Sequence, residues 1–106
     1  MKRFGRKQIR EAVDFALQGG QALHVWDGTG WSRPGTPACF RRSHLWAHLF
    51  DQDAARLEAT ARRLGVRVIV IQCRGLPRQH VDLCGKPLAR AIHETIQEQP
   101  DDTKGM

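Results

Sequence analysis

Tyrosine is absent from the 106 residues, and aromatics make up only 7% of them, which weakens any case for a base-stacking platform. Cysteine is scarce: only Cys39, Cys73 and Cys84 occur. An odd count with no Cys-x-x-Cys pair argues against a disulfide framework and against a standard zinc ribbon. It implies a reducing compartment, so a cytoplasmic location is expected. No window approaches the roughly 18 uninterrupted apolar residues of a membrane span, and no membrane association is expected. The basic start, residues 1–7, lacks a following apolar stretch, so no secretory signal is expected. There is no Gly-x-Gly-x-x-Gly, no phosphate loop, no Gly-x-Ser-x-Gly and no His-Glu-x-x-His. The commonest nucleotide-binding, hydrolase and zinc-protease signatures are thereby excluded.

What is present describes an ordinary globular chain, 41% hydrophobic and 26% charged, with the length of one domain. Residues 1–90 hold sixteen Lys/Arg against seven Asp/Glu, a balance of +9. Residues 91–106 hold Lys104 against Glu94, Glu98, Asp101 and Asp102, a balance of −3. A single domain over residues 1–99 with an acidic, flexible tail at 100–106 is the expected organisation. Thirteen of the seventeen basic residues are arginine, whose planar fork suits phosphate and carboxylate. Such a basic body fits nucleic acid or another polyanion, and a solvated basic surface is the plain alternative. Arg41, Arg42, Arg62, Arg63, Arg74 and Arg78 are the expected phosphate contacts.

Apolar periodicity supplies the elements. Ile9, Val13 and Ala16-Leu17 recur at helical spacing, predicting an amphipathic helix over residues 6–18 that stops at Gly19-Gly20. Residues 22–26 read as a short strand. Residues 27–37 read as a long loop carrying Trp31, placed either to cap the core or to cover a ligand. Residues 44–50 fit either a helix, with His44 and His48 one turn apart, or a strand; the strand is favoured, with Leu45, Ala47 and Leu49 on one face and His44, Trp46, His48 and Phe50 on the other. Asp51 and Asp53 then offer an N-cap for a helix over 52–64 ending at Gly65. The β-branched run at 66–73 reads as the clearest strand, covered on both faces. Residues 74–85 read as turn-rich, and residues 86–97 as a helix with Pro87 in its first turn. The expected fold is α/β, a small single-domain layer with about three strands and three helices in the order α-β-β-α-β-α. Its middle β-α-β unit is expected to be a parallel crossover.

Site-type residues concentrate at His44, His48, His80, Asp82 and Cys84, with Asp27 after the first strand. Ligands in open α/β sheets gather at the carboxyl ends of strands, which is where this placement would put Asp27, His48, His80 and Asp82. Imidazole with carboxylate supports acid–base catalysis; the same set could hold zinc or manganese. Histidines satisfied within the fold are the bland alternative, and no recognised metal spacing occurs. Whether a metal or other cofactor is bound is left open, and His24 and His93 rank lower.

The strings Val25-Trp26-Asp27, Leu45-Trp46-Ala47-His48-Leu49-Phe50-Asp51, Leu57 through Gly65 and His80-Val81-Asp82-Leu83 carry a resemblance. Over about residues 22–93 the chain resembles an uncharacterised bacterial and phage domain family with a His-Tyr-Asp motif before its final helix. Val81 stands where that motif has tyrosine, Asp27 stands alone where two acids are usual, and the helix at 6–18 is additional. The resemblance implies a common role for Asp27, His48, His80 and Asp82 but brings no established activity.

Beside the bland option of a structural accessory domain, two functions remain open on the sequence. One is a domain that binds phosphate-bearing ligands, nucleic acid or nucleotide, with a His/Asp acid–base or metal site. The other is a non-catalytic phage or mobile-element protein that inhibits a host protein complex through its basic face.

Overall fold

The computed structural model describes residues 1–27 and 44–98. Its sheet is formed by β1 (Lys2–Phe4), β2 (Gln21–Asp27), β3 (Leu45–Asp51) and β4 (His80–Leu83), in that spatial order. A 3-10 turn (Arg6–Gln8) leads into α1 (Ile9–Leu17); α2 (Ala54–Leu64) follows β3, and α3 (Gly85–Glu98) follows β4. The α/β class therefore holds, with four strands rather than about three. No helix among the described residues is long and apolar enough to cross a membrane.

Strand alternation sorts the side chains into two layers. Leu23, Val25, Ala47, Leu49, Val81 and Leu83 face α2 and α3, where they bury against Leu57, Ala61, Leu64, Leu88 and Ala91. The other face carries Ala22 and Phe50, which pack with Phe4, Ala12, Val13 and Ala16 under α1. It also carries His24, Trp26, Trp46, His48, His80 and Asp82, so the site residues lie on the α1 face of the sheet. The first helix forms as its stripe predicts, and Asp53 N-caps α2 by accepting from the Arg56 N–H at 3.0 Å. At the other end Gly65 adopts φ 99°, a left-handed cap that glycine adopts without a Cβ clash. On α3, Leu88, Ala91 and Thr95 turn inward as the pattern requires, whereas Ile96 is exposed.

Three expectations are corrected. Residues 66–73 do not form a strand: only Gln72 is bridged, to His80. Val68 is 80% exposed and Val70 59%, while Val66, Ile69 and Ile71 pack against the α2–α3 core. β-propensity measures fit to a pleated, half-buried surface, and the free edge of β3 is taken instead by β4. Cys73, at φ 53°, and Gly75, at φ 81°, reverse the chain between Gln72 and His80. The parallel crossover is β1–α1–β2, because β1 pairs parallel to β2; β3 is antiparallel to both β2 and β4. The expectation of reduced cysteines fails at Cys84, which is disulfide-bonded; Cys73 is a free, exposed thiol.

Candidate functional site

Two register pairs build the site. His24 lies opposite His48 across β2 and β3, and His48 lies opposite Asp82 across β3 and β4. One lateral row therefore reads His24–His48–Asp82. His80 joins it from two residues upstream on β4, because positions i and i+2 of a strand share a face. The His48 and His80 rings meet edge-to-face with centroids 4.7 Å apart. Asp82 Oδ1 stands 3.2 Å from His80 Nε2 and 3.9 Å from His48 Nε2.

Hydrogen bonds around the cluster determine where the ring protons sit. His24 Nε2 is 3.0 Å from the Arg6 carbonyl, which can only accept, so that nitrogen carries the hydrogen. In neutral His24 the Nδ1 is then an acceptor, and His48 Nδ1, 3.3 Å away, donates to it. His80 Nδ1 donates to the Arg78 carbonyl at 2.6 Å. With each Nδ1 occupied, the Nε2 atoms of neutral His48 and His80 present lone pairs on the side where Asp82 stands. Gln72 Nε2 donates to Asp82 Oδ2. Asp82 Oδ1 is buried and accepts no aligned hydrogen bond from the described residues. Buried oxygens are rarely left this way.

The environment drives the two histidines apart. Burial, reinforced by the charge of His80, pushes His48 down to about 4. Burial also pulls on His80, but the Asp82 carboxylate and the Arg78 carbonyl outweigh it, and its pKa is raised. Burial acts to raise Asp82, yet His80, then His48 and Gln72, hold it below its ordinary value. Trp26 stacks on His48 with centroids 4.3 Å apart and meets the buried Trp46 edge-on. This apolar wall accounts for the desolvation of His48. Neighbouring groups whose pKa values are driven in opposite directions are the usual form of an acid–base centre, and clustered perturbed groups point to functional sites.

The structure brings together His48, His80 and Asp82, as expected, but from the middle of adjacent strands rather than from strand ends. Asp27 is not part of this cluster. It pairs with Leu45 at the end of β2, three residues beyond His24, and alternation puts it on the opposite face. His44 precedes β3, and His93 is exposed on α3. Arg78 adjoins the cluster, since its charge lowers both histidines; Arg74 is exposed in the same loop. Arg62 and Arg63 lie on α2, across the sheet, and pair with Glu58 and Glu94. Trp31, Cys39, Arg41 and Arg42 lie outside the described residues, as does the tail at 100–106.

His24, ranked low on the sequence, sets the orientation and tautomer of His48 through its ring. The signal was the alternation of His24-x-Trp26 with Trp46-x-His48-x-Phe50, two polar-aromatic faces that an antiparallel pairing must lay side by side. No family model matches this chain, and neither a curated protein nor a solved structure does.

Proposed function

We infer that this chain binds phosphate-bearing ligands, nucleic acid or nucleotide, at a reactive centre made by His48, His80 and Asp82. The observation that carries this reading is the convergence of the two Nε2 atoms on a buried carboxylate oxygen, beside the charge of Arg78. A positive charge stabilises this arrangement, since two lone pairs and an anion otherwise face one another. That charge, with Arg78, is what meets a phosphate. His48 is neutral and can accept a proton, whereas His80, backed by Asp82, can hold one for donation to a phosphoryl oxygen or a leaving group. The side chains of His48 and Asp82 are 23% and 34% exposed, so the centre is open to a ligand.

The inhibitor reading needs a free basic face, and the pairing of Arg62 and Arg63 with acids removes two arginines from it. Fluorescence anisotropy with labelled single-stranded DNA and RNA, and calorimetry with mononucleotides, test the proposal. Binding is expected at low salt, with log K falling by roughly 0.7 per phosphate contact for each tenfold rise in salt on a single strand. Arg78→Ala and His80→Ala should weaken it, and Arg62→Ala should leave it unchanged. Absence of binding at low salt, or equal loss in all three variants, overturns the proposal.

A further inference from the structure

We propose that His48 Nε2, His80 Nε2 and Asp82 Oδ1 form a binding site for a divalent cation of the zinc class, with a fourth coordination position open to a phosphate oxygen. The inference rests on the site described above and names what supplies its positive charge. One donor atom from each of the three residues lies within 4.8 Å of the others. Zinc–nitrogen and zinc–oxygen bonds of about 2.0–2.2 Å at tetrahedral angles put neighbouring ligand atoms roughly 3.3–3.5 Å apart. The separations from Oδ1, 3.2 and 3.9 Å, bracket that value, and the two ring nitrogens, set within 4.8 Å of each other, draw together on a bound ion. Two imidazoles and one carboxylate are the donor set of catalytic zinc sites that keep a fourth position for water or substrate.

The surrounding groups match what a metal centre needs. A metal-ligating histidine nearly always donates its other ring N–H to a carbonyl, carboxylate or similar acceptor, which fixes the tautomer and aims the free nitrogen. His80 does so to the Arg78 carbonyl and His48 to His24; His24 is itself held by the Arg6 carbonyl. Gln72 occupies Asp82 Oδ2, leaving Oδ1 as the free acceptor. Without a metal, only a proton on His80 Nε2, 3.2 Å away, gives this buried oxygen a partner. As a metal ligand it has its partner. Asp82 thus follows the same design as the two histidines, with one polar atom tied back and one presented.

Calorimetry and equilibrium dialysis with Zn²⁺, with Mg²⁺ as comparator, test the site on protein carrying Cys73→Ser, which removes the free exposed thiol as a competing ligand. One equivalent of Zn²⁺ should bind, and Mg²⁺ should not replace it. Substituting Co²⁺ should give the intense visible absorption of a tetrahedral N/O site. Asp82→Asn or His48→Gln should lower the Zn²⁺ affinity by more than about 100-fold, and His24→Phe by roughly 10–100-fold, the range for outer-sphere partners. Metal-free thermal melts establish that each variant is folded; should one ligand variant not fold, the other and His24→Phe carry the test. No stoichiometric Zn²⁺, or affinity indifferent to Asp82→Asn and His48→Gln, overturns the inference. Oligonucleotide binding in chelator that still depends on Arg78 would, in that event, leave the phosphate-binding proposal standing.

Discussion

A buried aspartate, Asp51, and a half-buried one, Asp82, have opposite surroundings and give the sharpest stability contrast in this fold. Asp51, 0% exposed, has both oxygens fully used. Oδ2 accepts from Arg56 Nε at 2.8 Å and Gln21 Nε2 at 2.9 Å. Oδ1 accepts from Arg56 Nη2 at 2.7 Å and from the Asp53 N–H at 2.9 Å. Arg56 also reaches the Gly19 and Gly20 carbonyls, so one carboxylate ties the end of β3 to α2 and to the α1–β2 turn. Asp51→Asn puts an NH₂ against these donors. Breaking a fully buried pair costs about 3–5 kcal/mol, but Arg56 is 44% exposed and water can serve its guanidinium. The expected loss is therefore about 2–4 kcal/mol, or roughly 10–25 °C in Tm for a domain of this size. Asp82→Asn keeps an oxygen for Gln72 and removes an orphan, so above the histidine titration range its cost should stay within about 1 kcal/mol. Urea denaturation of both variants at equal m-value measures the difference. Equal losses, or a larger loss at Asp82, would refute this accounting.

Two further outcomes follow from the same contacts. Leu57→Ala, at a fully buried α2 position of the α2–α3 core, should cost about 2–5 kcal/mol by the same urea assay, whereas Val68→Ala, on an exposed segment, should cost less than about 0.5 kcal/mol. His48 titrates near 6.5 when unfolded and at about 4 when folded, so the unfolded chain binds more protons between those values and stability falls as pH drops through that window. Metal-free His48→Gln, melted from pH 7 to 4, should escape that share of the acid loss, on the order of 2 kcal/mol; a loss as steep as wild type would contradict the burial of His48.

The helices were legible because capping and periodicity are local: Asp53 and Gly65 bound α2, and Ile9, Val13 and Ala16 mark α1. The face of β3 was legible too, since strict alternation separates Trp46, His48 and Phe50 from Ala47 and Leu49. Partner choice is not local. Val66 through Ile71 has the β-branched composition of a strand, but four residues with a polar–apolar alternation, His80-Val81-Asp82-Leu83, take the edge of β3. That alternation was visible as a motif, and the turn residues before it drew the whole segment into a loop. β1, three residues long, is too short for a periodic signal. The His48–His80–Asp82 cluster was expected from strand ends, yet lateral register assembles it, and register is set by long-range pairing that sequence spacing does not encode.

The most direct test of a single coupled centre is a histidine titration by NMR on chelator-treated protein, in wild type and Asp82→Asn. His48 should stay neutral, with its hydrogen on Nδ1, until about pH 4, and His80 should protonate above the ordinary histidine value. In Asp82→Asn the His80 midpoint should fall, because the carboxylate that raises it is gone. Independent titration of both histidines near 6.5, unmoved by Asp82→Asn, would contradict the site.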